Sequence, residues 1–259
     1  MIFLQPSIDP VIISFGFLDI RWYSLSYIAA FLLGLYLIKF LNLKTKTNIK
    51  SKVIDDFLIW SIIGVILGGR IGYVIFYQFQ NFIHNPIYIF YIWKGGMSFH
   101  GGLLGMIFSI YLFSKKNNLK FYLLADFIST VAPIGLFFGR MANFINVELI
   151  GRVTEFPFAI IYPTIDNFPR HPSQLYEAFF EGIVLFIILF YIILKNNFYK
   201  KYGYISGLFL FLYGVFRFTI EFIRELDPHI GLIFNILSVG QLLCIPLILF
   251  GTILIVNKK

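Results

Sequence analysis

Seven long apolar stretches constrain this chain more than any other feature of its sequence. A helix needs about 20 mostly apolar residues to cross the hydrocarbon core of a bilayer. The stretches show no two-residue alternation that would indicate the strands of a barrel, so helices are expected. We therefore predict an all-α polytopic membrane protein with about seven transmembrane helices. The predicted spans are Trp22–Leu41, Val53–Phe79, Met97–Ser114, Phe121–Phe138, Ser173–Leu194, Tyr204–Phe222 and Leu237–Val256.

The composition argues against most other classes of protein. Only 13% of the 259 residues are charged, whereas a soluble domain carries roughly 25%. The one cysteine, Cys244, excludes an internal disulfide. The four histidines form no HExxH motif, so a metal centre built from protein ligands is not expected. The net charge of +8 is not gathered into a basic face with interleaved aromatic residues, so no nucleic-acid partner is expected.

The lysines predict the orientation of the chain. Twelve of the fourteen lie after the first, third and fifth spans and at the C-terminus, and basic residues are enriched in cytoplasmic loops. We therefore expect the N-terminus outside and the C-terminus in the cytoplasm. Residues 1–259 form a single transmembrane domain on this view, with residues 139–172 inserted as a small outer head between spans four and five. The twelve lysines are Lys44, Lys46, Lys50, Lys52, Lys115, Lys116, Lys120, Lys195, Lys200, Lys201, Lys258 and Lys259.

The seven arginines are distributed differently, because none lies in a predicted cytoplasmic loop. Arg140 ends the fourth span, and Arg217 lies about fourteen residues, or ~21 Å, into the sixth. Both spans run outward, so both arginines belong to the outer half of the membrane, where a charge is costly and is usually partnered or functional. The planar guanidinium suits bidentate binding of phosphate or carboxylate. An anionic group held near the outer leaflet is the simplest explanation.

Other polar residues in the spans have both a functional and a structural interpretation. Tyr23 begins the first span and His100 lies just inside the third, so both belong to the outer side. A histidine there is either a proton acceptor or a hydrogen-bonding packing residue. Arg70 lies among glycines that indicate a close helix contact, and we expect it to pair with a carboxylate or a phosphate.

Acidic residues in two spans leave the pairing of the arginines open. Tyr213, Arg217 and Glu221 follow at intervals of four residues, which places them on one helix face. Arg217 and Glu221 either neutralise each other or present the arginine to a ligand. Glu177 and Glu181 share a face of the fifth span one turn apart. Two carboxylates near two arginines fit a structural network as well as an active site.

The string GRMANFINVELIG, Gly139–Gly151, is the most informative motif. It places one arginine, two asparagines and one glutamate at a membrane exit, although polar side chains are not needed there to end a helix. Non-helical backbone at this depth is tolerated only where it is buried in protein or lines a wet cavity. The spacing therefore predicts a non-helical polar turn lining a pocket. Its polar side chains are Arg140, Asn143, Asn146 and Glu148.

Six strings, in order along the chain, resemble landmarks of one bacterial family, the prolipoprotein diacylglyceryl transferases. GRMANFINVELIG fits that family's signature, G-R-x-[GA]-N-F-hydrophobic-N-x-E-x-x-G, at every constrained position. The resemblance covers nearly the whole chain. It departs from the family at Val147, where a small or polar residue is expected, and in the short outer segment Arg152–Arg170. The other five strings are RWYSLSY, GGRIGYVIFY, GGMSFHGGLLG, RHPSQLYEAFFEG and GVFRFTIEFIRE.

The resemblance implies a lipid-transfer reaction at the periplasmic face of the bacterial inner membrane. The diacylglyceryl group of phosphatidylglycerol passes to the lipobox cysteine of a preprolipoprotein, and glycerol 1-phosphate leaves. No obligate protein partner is expected besides the lipid, the peptide and the bilayer. The expected catalytic residues are His100, Arg140 and Arg217. The expected substrate-binding residues are Tyr23, Arg70, Asn143, Asn146, Glu148, Gly151, Tyr213 and Glu221.

A membrane transporter or channel for a small anionic or lipid substrate is the main alternative. Seven spans without a visible internal repeat argue against the common inverted-repeat transporters. The polar residues also cluster at one face of the membrane instead of crossing it. The last span contains no lysine that would form a retinal Schiff base. A transferase is therefore the preferred interpretation.

Overall fold

The structure, a computed structural model, describes residues 2–16, 19–195, 201–225, 232–233 and 236–257. Lys200, Lys258 and Lys259, which contribute to the predicted orientation, lie outside the described residues. The chain forms two compact units, each of which is described by itself. The first comprises Met1–Thr45 and Asp126–Lys259, and the second comprises Lys46–Ala125.

Helices dominate the described residues, as the apolar stretches predict. Five of the helices, α1, α2, α5, α6 and α8, are long and apolar enough to cross a membrane. Helix α7 is apolar but has 17 residues. A mostly helical protein with several candidate membrane spans is therefore confirmed, whereas the count of seven, the orientation and the outer head stay predictions. The helices are α1 (Trp22–Lys44), α2 (Ser51–Tyr77), α3 (Phe79–His84), α4 (Phe99–Lys116), α5 (Phe121–Ile145), α6 (Ser173–Lys195), α7 (Tyr204–Ile220) and α8 (Val239–Asn257).

The first unit also contains short strands, which the prediction of an all-α protein did not include. A three-stranded sheet has the order β1–β4–β5, with β1 parallel and β5 antiparallel to β4. Strand β2 pairs with β3, and β6 with β7, both antiparallel. Strands of two to four residues are too short to show a periodic pattern in the sequence. The strands are β1 (Phe3–Leu4), β2 (Val11–Ser14), β3 (Asp19–Arg21), β4 (Ile160–Ile161), β5 (Pro169–Arg170), β6 (Leu232–Ile233) and β7 (Leu237–Ser238).

Two contacts hold the central helices of the first unit together. A Cβ added to Gly182 of α6 would lie 2.7 Å from the Phe137 Cβ of α5, so only a glycine permits this approach. At the other end of α5, the buried carboxylate of Asp126 accepts hydrogen bonds from the Gly203 backbone at 2.7 Å and from the Ser206 backbone at 2.8 Å. Asp126 therefore caps the start of α7, where backbone N–H groups lack partners within the helix.

Glycines also bring α2 and α4 together in the second unit. A Cβ added to Gly105 would lie 2.0 Å from the Gly64 carbonyl oxygen, and one added to Gly101 would lie 2.3 Å from that of Gly68. Side chains at these positions would push the two helices apart. The close van der Waals packing that stabilises helix pairs in lipid would then be lost. The helix contact that the sequence predicts around Arg70 is therefore present.

Candidate active site

Three helix ends of the first unit meet at a cluster of buried charges. Arg140 lies near the end of α5 and Arg217 lies in the last turn of α7, while Glu177 lies in the first turns of α6. These placements complement the helix dipoles, because a helix favours anions at its N-terminus and cations at its C-terminus. After Glu177 the backbone of α6 widens into a π-helical segment, Ala178–Val184, a feature frequent at functional sites.

Glu177 joins the two arginines. Its Oε2 lies 2.7 Å from Arg140 Nε, and its Oε1 pairs with Arg217 Nη1. Arg217 Nη2 also lies 2.8 Å from Glu221 Oε2. Glu181 is more distant, with its two oxygens 3.7 Å from Arg140 Nη2 and 3.9 Å from Arg217 Nη1. The Glu177 and Glu181 side chains have no exposed surface, whereas the Arg140 side chain is 17% exposed and that of Arg217 is 10% exposed.

Positive and negative charges balance in this cluster. Arg224 lies 3.7 Å from Glu221 and makes the third cation facing the three glutamates. A buried charge that loses its partner destabilises a protein by about 3–5 kcal/mol, so the members of the cluster depend on one another. Within the described residues, no group of three or more His, Cys, Asp or Glu is arranged to hold a metal ion.

The Gly139–Gly151 motif is helical in its first half and turns only after Ile145. The prediction of a non-helical turn therefore applies to its second half. Asn143 donates to Glu148 at 2.8 Å, Asn146 donates to Glu148 at 3.2 Å, and Arg140 donates to Asn143 at 3.4 Å. The four polar residues thus form one hydrogen-bonded chain that ends at the charge cluster.

Backbone contacts fix the turn that follows Asn146. Val147 and Leu149 adopt left-handed conformations, with φ of 58° and 57°. Such values are strained for a β-branched residue, which explains why a small or polar residue is expected at position 147. The first turn of α6 holds the chain here, because Ser173 donates to the Leu149 carbonyl at 2.6 Å and Gln174 donates to the Glu148 carbonyl at 2.5 Å.

Gly151 lies where three backbone segments meet. Its N–H donates to the His171 carbonyl at 3.0 Å, and it forms a β-bridge with Arg224. A Cβ here would lie 2.4 Å from the His171 carbonyl oxygen and 2.9 Å from that of Ile223. Only glycine fits this position without displacing the backbone. The end of the motif is therefore joined to the segment that follows Arg217 in the chain.

Arg170 secures the segment between α5 and α6. Its guanidinium donates to Asp166 Oδ2 at 2.6 Å and to the Gly151 carbonyl at 3.2 Å, and it also pairs with Glu225. The hydrogen bond from Arg170 holds the pKa of Asp166 below its usual range. Burial lowers the pKa of His171, which favours a neutral imidazole. No feature of the sequence distinguishes Arg170 from the other outer arginines.

Two tyrosines of the predicted site lie in the same unit. Tyr213, one turn before Arg217, is buried and stacks on Phe209 with ring centroids 5.7 Å apart. Tyr23, at the start of α1, packs against Tyr27 with ring centroids 5.5 Å apart.

Arg70 and His100 lie in the second unit. The buried Arg70 guanidinium donates to the backbone carbonyls of Tyr88 at 2.9 Å, Ile89 at 3.2 Å and Gly95 at 2.6 Å. The described partners of Arg70 are therefore carbonyls of the 86–96 segment, where the sequence suggested a carboxylate or a phosphate. His100 is exposed in the first turn of α4, and its catalytic role stays a prediction.

Two residues that contribute to the charge cluster, Glu177 and Ser238, are not evident as such from the sequence. Glu177 was one of two carboxylates on a shared face, and its bridging position depends on which helices face each other. Ser238, before α8, donates to Glu221 Oε1 at 3.0 Å. A Cβ added to Gly240 would lie 2.6 Å from that same oxygen. The cost of a carboxylate within an apolar span was the available signal for Glu177, whereas the sequence holds no comparable signal for Ser238.

The chain is similar to proteins of known function along nearly its whole length. A model of the family described as prolipoprotein diacylglyceryl transferase matches residues 10–257. A phosphatidylglycerol–prolipoprotein diacylglyceryl transferase of Rickettsia felis is 50% identical over 254 residues, which cover 98% of each chain. The enzyme of the same name from Idiomarina loihiensis is 50% identical over 255 residues, covering 98% of this chain and 94% of that protein. These matches do not favour a transporter or channel.

Proposed function

Because this chain belongs to the prolipoprotein diacylglyceryl transferase family, we propose that it moves the diacylglyceryl group of phosphatidylglycerol to the lipobox cysteine of preprolipoproteins. A carbon–sulfur bond forms, the carbon–oxygen bond to the phosphate breaks, and glycerol 1-phosphate leaves. The chain is a transferase, and the reaction is the first step of lipoprotein maturation. The observation that carries this proposal is the identity of about one residue in two, over nearly the full length, to enzymes of that name.

Arg140 and Arg217 bind the phosphate of the lipid in this proposal. A guanidinium has five N–H donors, and Arg140 uses Nε for Glu177 and Nη1 for Asn143, so further N–H groups remain for a ligand. Both side chains keep some exposed surface. Negative charge on the phosphate rises as the carbon–oxygen bond breaks, and one well-placed donor to such a charge contributes about 2.7–4 kcal/mol.

His100 receives the proton of the substrate thiol in this proposal. A thiol must become a thiolate before it attacks carbon, and imidazole is the side chain suited to accept a proton near neutral pH. His100 lies in the first turn of α4, and Ser98 caps that helix by accepting a hydrogen bond from Gly101 N at 3.2 Å. The cap and the glycine contact with α2 give His100 a rigid support.

The remaining site residues bind or position the headgroup. Asn143 orients Arg140, and Glu148 orients both asparagines through the hydrogen bonds described above. Glu221 holds Arg217 in the same way, while Arg70 fixes the 86–96 segment. The proposed substrate-binding residues are Tyr23, Arg70, Asn143, Asn146, Glu148, Gly151, Tyr213 and Glu221.

The enzyme acts in the bacterial inner membrane with its active site toward the periplasm. The seven apolar stretches support seven spans in a single transmembrane domain, and the lysine distribution supports an N-terminus in the periplasm and a C-terminus in the cytoplasm. Residues 139–172 form the periplasmic head. The partners of the enzyme are phosphatidylglycerol, the lipobox peptide and the bilayer. The reaction needs no cofactor or obligate protein partner.

The decisive experiment combines the purified protein with phosphatidylglycerol and a lipobox peptide. Mass spectrometry should show the peptide gaining one diacylglyceryl group. We expect Arg140→Ala and Arg217→Ala to abolish this product and His100→Asn to lower it strongly. Normal product formation by either arginine variant would refute the phosphate-binding role. Absence of product with the wild-type protein, together with ion flux in proteoliposomes, would instead favour the transporter.

A further inference from the structure

The two arginines are held together by one carboxylate. Each oxygen of Glu177 pairs with a different guanidinium, Oε2 with Arg140 and Oε1 with Arg217. Two cations that converge on one ligand repel each other, and an anion between them offsets that repulsion. Because a single carboxylate makes both contacts, its position fixes where the two guanidinium groups lie relative to each other.

The backbone that carries Glu177 is itself firmly held. Ser173 and Gln174, in the preceding turn, donate to carbonyls of the polar turn at 2.6 and 2.5 Å. In the following turn, Gly182 touches Phe137 of α5, the helix that carries Arg140. The helix segment that carries Glu177 is therefore held by contacts on both sides, and the Glu177 side chain is fully buried. A carboxylate held in this way keeps its geometry before any ligand arrives.

Glu181 provides an internal comparison. It is as buried as Glu177 and carries the same charge within the same cluster. Its nearest guanidinium nitrogens are nevertheless 3.7 and 3.9 Å away, whereas Glu177 Oε2 lies 2.7 Å from Arg140 Nε. The two glutamates thus share charge and burial, but Glu177 alone of the two makes close contact with both arginines.

We propose that Glu177 is a positioning residue that sets the spacing and direction of Arg140 and Arg217 for the phosphate of the lipid substrate. This inference rests on the proposed role of the two arginines. The carboxylate does not touch the substrate in this scheme. It acts by keeping two guanidinium groups in the arrangement that fits the leaving phosphate, so that no reorganisation is needed during the reaction.

Replacing each glutamate by glutamine tests the inference, because both changes keep the shape and remove one negative charge. In Glu177→Gln, the single amide oxygen serves one arginine while the NH₂ group faces the other. We expect a loss of about a hundredfold in kcat/KM, mostly in kcat, equivalent to about 2.7 kcal/mol of transition-state stabilisation. For Glu181→Gln we expect a loss of at most a fewfold. Glu177→Asp keeps the charge and both acceptors, and we expect it to recover about tenfold over Glu177→Gln.

Each outcome of this comparison bears on the proposal. Equal losses for the two glutamine variants would show that charge alone matters and would overturn the positioning role, as would normal kcat for Glu177→Gln. In either case an inactive Arg140→Ala variant would leave the proposed function standing. Activity in Arg140→Ala would instead refute the phosphate-binding role and the inference with it. If Glu177→Gln does not fold, Glu177→Asp decides, since kcat equal to that of the wild type would contradict a precise spacing.

Discussion

Gly151→Ala offers a sharp test of how the backbone supports the charge cluster. The added Cβ would lie 2.4 Å from the His171 carbonyl oxygen, whereas ordinary contacts begin at 3.4 Å. The backbone at Gly151 and His171 must therefore separate by about 1 Å. This separation would break the hydrogen bond from the Gly151 N–H, because that bond is accepted by the same His171 carbonyl oxygen. Overpacking of this kind lowers the free energy of unfolding by about 1–3 kcal/mol. A displacement of about 1 Å near a catalytic group lowers the rate by about a hundredfold.

Gly139→Ala is the matched control for this change. Gly139 begins the same motif, one residue before Arg140, but a Cβ added there would meet no atom within 4 Å. Because Gly139 lies within α5, alanine is expected to stabilise the helix by about 0.5–1 kcal/mol. Both variants are assayed for peptide lipidation and for thermal unfolding. Wild-type kcat/KM in Gly151→Ala, or a loss as large in Gly139→Ala, would refute the reasoning.

Three further changes probe other contacts of the structure. Arg70→Lys keeps the positive charge but lacks the planar guanidinium, so at least one charged hydrogen bond to a carbonyl is lost. Thermal unfolding should show that the free energy of unfolding falls by about 1.5–3 kcal/mol. Asp166→Asn removes a carboxylate whose pKa is lowered by Arg170, so at pH 7 the variant should unfold at a lower temperature than the wild type. This difference in unfolding temperature should vanish as the pH falls through the lowered pKa of Asp166. Ser238→Ala leaves Glu221 Oε1 without its hydroxyl donor and should lower kcat/KM about tenfold in the lipidation assay, whereas an unchanged value would show that the contact is dispensable.

The apolar stretches locate the helices well, but their ends depend on contacts that a hydropathy pattern does not contain. The hydropathy pattern places the end of the fourth span at Phe138. In the structure α5 continues to Ile145, since Arg140 and Asn143 find polar partners there. Strand β1 likewise depends on pairing with a segment more than 150 residues away, around Ile160.

The sequence indicates some members of the charge cluster, such as Arg140 and Arg217, but not the contacts between them. Arg140 and Arg217 attract attention from sequence because a guanidinium in an apolar span is costly unless it is paired or functional. Spacing along a helix shows which residues share a face, but it does not show which faces meet. The bridging position of Glu177, the hydroxyl of Ser238 and the carbonyl partners of Arg70 therefore needed coordinates.

Helices α5 and α7 are tied to each other at both extremities. Asp126 of α5 bonds the Gly203 N–H at one extremity, and Glu177 links Arg140 to Arg217 at the other. In both helices the two tie points are fourteen residues apart. Inserting one residue between the tie points of either helix would turn its arginine by about 100° and shift it by about 1.5 Å relative to the other. The equal intervals therefore make the length of each helix as constrained as the identity of the arginine that it carries.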